Sequence, residues 1–214
     1  MLHFNPRRLA FCVLFLTSLA ACAGGAYTGP VEVTRFVADK PMGLGEGTIV
    51  LRFSDDLKNQ SARDAFRSAV GNELGRLGYT IISNEDIAGQ IATISTSRSS
   101  PGQTDPQNPV SVGVGGSTGS FGSGLGVGVG IILGGSGNQS PRVVSELSVA
   151  IAANSQDPNR LNLWEARAQF PTSVDSPYAP VDVNARTLAA AVFQDFPGGN
   201  GETVSLKAGE LVEP

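Results

Sequence analysis

The residue with the clearest chemical potential in this sequence is Cys22. It closes the run Leu19-Ala20-Ala21-Cys22, which follows an apolar stretch from Leu9 to Leu16, and two arginines precede that stretch. A basic start, a short apolar stretch and a small-residue end are typical of a secretory signal peptide. The stretch is too short to span a bilayer as a permanent helix. Residues 1–21 are therefore predicted to be a signal peptide.

The cysteine at the end of this signal indicates lipid chemistry. Ordinary signal peptides end in a small-x-small site, whereas Leu-Ala-Ala-Cys resembles the bacterial lipobox. In a lipobox the thiol takes a thioether-linked diacylglycerol, the signal is cut before the cysteine, and the new amine is acylated. The alternative is a plain signal peptide with a chance cysteine. We predict lipidation of Cys22 and attachment to the membrane through it.

The residue after Cys22 bears on which membrane of the cell envelope holds the protein. Ala23 stands there, where an aspartate would favour retention in the inner membrane. By analogy with such lipoproteins, we expect a protein anchored in the outer membrane and facing the periplasm.

Few other residues offer reactive side chains. The chain has two cysteines and one histidine, and Cys12 and His3 both lie in the signal. No thiol besides Cys22 and no imidazole would remain after processing. Ser-His-Asp and Cys-His catalysis and His-ligated zinc sites are thereby excluded as usually built. We expect no cofactor, no metal and no enzymatic activity.

The charge balance excludes further partners. The full chain has a formal net charge of −4, and removal of the signal takes away two arginines and no acid. An acidic chain without a Lys/Arg cluster does not match the basic face that nucleic acid requires. It also lacks the cluster that would bind anionic lipid headgroups.

Three carboxylates and one tryptophan remain as candidates for chemistry. Asp195, Glu165 and Glu202 could serve in pairs on a glycan, but their spacing selects no pair, and solvated surface acids are the favoured interpretation. Trp164 could stack on a ligand, although a large aromatic more often anchors a core. The run Gly198-Gly199-Asn200-Gly201 suits either an anion-binding nest or a tight turn that stops a helix, and we favour the turn.

The spacing of apolar residues along the chain predicts the helices and strands that hold these residues in place. Alternation of apolar and polar residues, together with β-branched residues, predicts strands. An apolar stripe with 3.6-residue spacing predicts a first helix; it runs through Phe66, Val70, Leu74 and Leu77. Ser61 is the predicted N-cap of this helix, and Gly78 lies just beyond its end. A second helix is predicted over residues 182–194, with Leu188, Ala191 and Val192 on its apolar face. The predicted strands cover residues 31–36, 48–53, 79–82, 91–96, 143–153, 161–170 and 203–207.

The element order predicts an α+β fold. Too few helices are present for a doubly wound sheet, so we expect an antiparallel or mixed sheet with about two helices packed on one face. The expected core residues are Phe66, Val70, Leu74, Leu163, Trp164, Leu188 and Val192. The expected boundaries are a lipidated tether at 22–47, a single domain at 48–207 and a tail at 208–214.

A glycine-rich insertion at 99–141 interrupts the domain. Its second part alternates glycine with β-branched residues, as in Val127-Gly128-Val129-Gly130-Ile131. We favour a hairpin or loop insertion, since glycine density and the lack of an aromatic girdle count against a bilayer-entering hairpin at 111–133. The run at 113–119 lacks the Gly-Lys-Ser/Thr ending of a phosphate-binding loop.

Residues spread over the chain resemble a family of bacterial envelope lipoproteins known as domain of unknown function 4136. Its first helix and glycine-aromatic step are similar to Phe66, Val70, Leu74, Gly78 and Tyr79 here. Its Trp-containing strand is similar to residues 163–166, and its closing Phe-Pro-Gly motif to residues 193–202. The stretch Ile87-Ala88-Gly89-Gln90-Ile91 departs from the pattern, which has an acidic residue there. The resemblance covers about residues 31–207 and implies a fold and an address, but no activity.

We therefore expect a non-enzymatic, outer-membrane-anchored envelope lipoprotein that serves as a binding or assembly module. One alternative is a pore or secretion-channel subunit that uses the glycine-rich hairpin. Another, less favoured, is a carboxylate-based glycan hydrolase.

Overall fold

The computed structural model describes residues 26–54, 57, 59–100, 142–155 and 162–214. Cys22 and nearly all of the glycine-rich insertion lie outside these residues. The described elements are β1 (Val31–Val37), β2 (Thr48–Phe53), α1 (Gln60–Arg76), β3 (Thr80–Ile81), a 3-10 turn (Glu85–Ile87), β4 (Gln90–Ser99), β5 (Arg142–Ala153), β6 (Asn162–Ser173), α2 (Val181–Phe193), β7 (Thr203–Leu206) and α3 (Ala208–Leu211).

The described strands form one open, mixed sheet in the order β3-β2-β4-β5-β6-β1-β7. β2 runs parallel to both β3 and β4, and α1 provides the crossover from β2 to β3. All other neighbouring strands are antiparallel. The predicted α+β fold with a mixed sheet is confirmed.

The β5–β6 hairpin shows how alternation assigns the two faces of the sheet. Val149 and its register partner Ala166 are fully buried beneath the helices. On the opposite face, Arg167 and Glu146 form an ion pair at 3.2 Å between Nε and Oε1. One face therefore carries the core, and the other carries polar side chains, as period-2 strands require.

The two longer helices pack side by side on the inner face of the sheet. α1 begins after Asn59, whose side-chain oxygen accepts a hydrogen bond of 3.1 Å from the Ala62 N–H. The predicted N-cap, Ser61, was therefore wrong by two residues, since Asn and Ser are equally good caps and composition does not choose between them. α1 ends at Arg76, and Gly78 follows with a φ of 106°, the left-handed conformation predicted for it.

The core agrees with the sequence prediction except at Leu163. Both helix stripes and Trp164 are buried together in one apolar cluster. Leu163 is only half-buried and lies on the other face of β6. The prediction was wrong because adjacent residues of a strand point to opposite faces, so Leu163 and Trp164 do not share a core.

The domain is longer at both ends than its predicted boundaries. β1 lies between β6 and β7, so residues assigned to the 22–47 tether belong to the sheet. In the predicted tail, Ala208 is buried, and the Val212 carbonyl accepts a 3.2 Å hydrogen bond from the Tyr178 hydroxyl. The predicted strand at 79–82 is shorter than expected, because only Thr80 and Ile81 pair with β2.

One end of the sheet receives both the chain entry and the insertion. Thr28 forms an isolated bridge with Thr172, and the adjacent Ser173 pairs with Arg142, the first residue of β5. At the same end, Ser99 of β4 pairs with Val144. The segment between β4 and β5 therefore starts and ends on neighbouring antiparallel strands, as in a hairpin.

Replacing residues 111–137 with a four-residue Asn-Gly-type turn is expected to leave a cooperatively melting domain. The reason is that β4 and β5 already pair directly, and a twofold change in loop length alters the closure free energy by only about 0.6 kcal/mol. Thermal unfolding followed by circular dichroism would measure this against the intact chain. Loss of a cooperative transition in the shortened protein would mean that the segment contributes to the core.

Candidate functional site

Trp164 is part of the core and offers no face to a ligand. Its side chain is 0% exposed, and its ring centroid lies 5.3 Å from that of Phe193 and 5.0 Å from that of Phe196. Its indole N–H donates a 2.9 Å hydrogen bond to the Pro197 carbonyl. The tryptophan therefore joins β6 to the turn after α2, consistent with the favoured core interpretation.

A buried arginine that sequence reasoning did not single out lies next to this turn. Arg35 of β1 is 2% exposed, and its Nη2 donates to the Ala191 carbonyl at 3.0 Å. Its Nε lies 3.4 Å from the Val192 carbonyl. A cation at the C-terminal end of α2 complements the helix dipole. Burial lowers the pKa of Arg35, while the negative charges of Glu202 and Asp195 act in the opposite direction.

The glycine run after α2 is a tight turn around Arg35. Gly198 has a φ of 75°, and a Cβ there would lie 2.7 Å from Cδ of Arg35. The Gly201 N–H donates to the Arg35 carbonyl at 2.8 Å, and the Gly199 N–H donates to Oε2 of Glu202 at 3.2 Å. Because acceptors of the protein itself occupy these two N–H groups, the turn interpretation fits better than an anion nest.

The three carboxylates considered for glycan chemistry are not brought together. Glu165 lies on the outer face of β6, where it accepts a 3.2 Å hydrogen bond from the Asn162 amide. Glu202 and Asp195 are exposed and lie near Arg35 instead. Glu165 therefore shares no cleft with the other two.

A second buried polar network fixes the loop before β2. The Tyr79 hydroxyl accepts a 2.7 Å hydrogen bond from the Gly45 N–H and donates to Oε1 of Gln90 at 3.2 Å. Nε2 of Gln90 donates to the carbonyls of Gly43 and Glu46, at 2.6 and 3.1 Å. Burial raises the pKa of Tyr79, and the Gly45 hydrogen bond opposes this. An amide is required at Gln90, since an ionised acid in its place would have no proton to donate to the two carbonyls.

A cavity of about 360 Å³ lies between α1 and the edge of the sheet formed by β2 and β3. We call it the edge groove. Polar and apolar side chains line it together: Arg67, Ser68, Gly71 and Asn72 from α1, Val50 and Leu51 from β2, and Ile81, Ile82 and Ser83 from the end of β3. This mixture suits a ligand with both polar and apolar groups.

The backbone along the edge groove is unpaired over half of β2. β3 pairs only with Thr48 and Ile49, the first two residues of β2. The carbonyls of Gly47 and Ile49 accept from the N–H groups of Thr80 and Ile82, at 2.9 and 3.0 Å. Because the backbone groups of alternate residues point to the same side, Leu51 and Phe53 also direct their N–H and C=O groups toward this edge. The described residues place no strand opposite them, so the edge is open for pairing.

Two arginines of α1 lie at the far end of this open edge. The guanidinium carbons of Arg67 and Arg63 lie 5.1 and 5.3 Å from the ring centroid of Phe53. Within the described part of the chain, neither forms an ion pair with a carboxylate. Among the described side chains, two guanidinium groups therefore lie together at this end of the groove, on a protein whose net charge is negative.

Sequence reasoning missed the edge groove, although α1 carries one signal of it. Gly71 lies in the middle of the helix, where glycine costs about 1 kcal/mol relative to alanine. A Cβ at Gly71 would lie 3.4 Å from Cδ1 of Ile81 and 3.5 Å from Cδ1 of Leu51. A helical glycine of this kind often marks a close approach, but the sequence does not say what approaches.

The described residues include neither a metal-binding cluster nor a membrane-spanning helix. They contain no group of three or more His, Cys, Asp or Glu side chains that could hold a metal ion. Among their helices, none combines the length and the apolar character needed to cross a membrane.

Comparison with known proteins gives weak likenesses in fold. No family model and no curated protein matches the chain. It is similar to the crystal structure of a PDZ domain protein from Parabacteroides distasonis, with a TM-score of 0.49 and 14% identity, over 94% of this chain and 43% of that chain. It is also similar to the PelC dodecamer from Paraburkholderia phytofirmans, with a TM-score of 0.36 and 9% identity, over 74% of this chain and 94% of that chain. At these scores the likenesses carry no argument about function.

Proposed function

We propose that this protein is a lipid-anchored protein of the outer membrane whose folded domain is a non-enzymatic binding module facing the periplasm. The observation that carries the anchor is the run Leu19-Ala20-Ala21-Cys22 after a signal-like segment. The observation that favours binding is the open edge of β2 beside the edge groove. The resemblance to domain of unknown function 4136 also supports an envelope lipoprotein. Because that family has no established activity, the resemblance suggests no specific activity for this chain.

The anchor predicts a defined result for Cys22→Ser. Each buried CH₂ group contributes about 0.8 kcal/mol to membrane binding, so several acyl chains hold a protein on the bilayer essentially permanently. In cells labelled with radioactive palmitate, the intact protein should incorporate label, and the variant should incorporate none and remain as precursor or soluble protein. A Cys12→Ser variant is the matched control and should label normally. Equal labelling of the Cys22→Ser variant would overturn the anchor.

The Cys22→Ser variant also distinguishes the proposed binding module from the alternative function, a pore subunit. After carbonate or urea extraction, a binding module without its lipid should be a soluble monomer. A channel subunit that inserts residues 111–133 should stay in the membrane as ring-shaped oligomers. The alternation of glycine with β-branched residues in that segment is the feature that keeps the second function in consideration.

A further inference from the structure

We propose that the edge groove binds an extended peptide segment of a partner protein, which adds to the sheet as a strand along Leu51 and Phe53. The proposal deepens the binding function above by naming the site and the chemistry of the partner. In strand addition, main-chain hydrogen bonds supply affinity, and pockets for alternate side chains supply specificity. The edge groove has both components.

The backbone component comes from the shortness of β3. β3 leaves β2 after Ile49, and β2 continues to Phe53. At about 3.3 Å per residue, the unpaired length from Val50 to Phe53 accommodates an extended segment of about four residues. Such a segment continues the line of β3 and pairs with the free N–H and C=O groups of Leu51 and Phe53.

The side-chain component comes from α1. Gly71 adds no side chain to the groove, so the apolar side chains of Ile81 and Leu51 form its wall at this point. Ser68 and Asn72 add hydroxyl and amide groups to the same wall. A β-branched residue suits this position, since such residues favour extended backbone.

The two arginines at the end of the groove call for a negatively charged group on the peptide. Arg67 lines the groove, and Arg63 lies one helical turn before it over the same Phe53 ring. Guanidinium groups bind carboxylates in a bidentate manner. The peptide therefore carries an Asp or Glu, or its own terminal carboxylate, at the end that lies over Phe53.

The test uses the full-length acylated protein in detergent and a phage-displayed library of random seven-residue peptides. Selected sequences should share a β-branched residue and an acidic residue at a fixed spacing. A synthetic peptide of the selected sequence should bind at least about tenfold more weakly to Gly71→Leu, whose side chain fills the groove. One N-methyl group on a pairing amide should weaken binding about fivefold, the effect of one lost hydrogen bond.

Matched variants separate local effects from unfolding. Gly71→Ala should fold and bind, because its Cβ meets its neighbours at ordinary contact distances. Arg67→Gln should weaken binding about threefold to tenfold and reduce its salt dependence. Arg186→Gln removes one exposed positive charge from α2 and should leave binding unchanged.

Three outcomes would overturn the proposal. A selection without enrichment would do so, as would peptides that bind Gly71→Leu and the intact protein equally. Concentration-dependent self-association that Gly71→Leu abolishes would assign the groove to a second copy of the chain. Failure of Cys22 labelling would overturn the anchor and leave peptide binding measurable, so the two proposals fail separately.

Discussion

Replacing Trp164 with alanine is expected to lower the free energy of unfolding by about 3–5 kcal/mol, the range for large aromatic truncations in a core. The side chain is fully buried between Phe193 and Phe196, and its N–H group satisfies the Pro197 carbonyl. The substitution leaves a cavity, removes two ring contacts and removes the indole hydrogen bond to the Pro197 carbonyl. These losses all fall on the connection between β6 and the turn after α2.

Urea unfolding followed by circular dichroism would measure this effect, since the variant has no tryptophan left to fluoresce. Leu163→Ala is the matched control, because Leu163 is the preceding residue on the half-buried outer face of β6. We expect the control to lose about 1 kcal/mol or less, near the usual range for surface substitutions. Similar losses at the two positions would contradict the assignment of the two faces.

Replacing Arg35 with alanine is expected to lower the free energy of unfolding by about 3 kcal/mol or more. The guanidinium bonds the carbonyls of Ala191 and Val192 at the end of α2, and hydrogen bonds to charged groups contribute about 1.5–3 kcal/mol each. Removing the side chain leaves these carbonyls unpaired and empties the space beside Gly198. Arg35→Lys should recover only part of the loss, since an ammonium group lacks the planar fork of donors.

Arg167→Ala is the control for Arg35→Ala. Arg167 lies on the neighbouring strand but points to the outer face, where it forms a partly exposed ion pair with Glu146. Exposed ion pairs contribute about 0–1 kcal/mol, so we expect a small change in urea unfolding. If Arg35→Ala lost no more than Arg167→Ala, the buried hydrogen bonds of Arg35 would not hold α2 in place.

Periodicity predicted the parts of the fold that depend on a single chain segment. The β5–β6 hairpin and the apolar stripe of α1 follow from alternation and from 3.6-residue spacing. The errors arose where two segments compete or combine. Asn59 and Ser61 are equally good caps by composition, and only the path of the chain decides between them. The strand at 31–36 was predicted but was left in the tether, because its partners β6 and β7 lie far along the chain.

The edge groove could not be predicted for a related reason. It exists because β3 is only two residues long, and the sequence at Tyr79–Ile82 continues to resemble a strand after its pairing with β2 has ended. Arg35 was missed because an arginine in an alternating strand is usually assigned to the exposed face. Only the position of the α2 carbonyls shows why this one is buried.

The entry of the chain at Thr28 would fix how the domain stands on a membrane if Cys22 carries the proposed anchor. Five residues separate Cys22 from Thr28, and a fully extended chain over those six steps reaches at most about 20 Å. With acyl chains on Cys22, the end of the sheet that carries Thr28, Ser99 and Arg142 would be held close to the lipid headgroups. β2 runs parallel to β4, and its C-terminus at Phe53 points toward that end of the sheet, so with the proposed anchor Phe53 and its two arginines would lie on the side nearer the bilayer. A partner segment would then approach along the membrane surface, and a tether lengthened by a dozen residues should separate membrane attachment from partner binding.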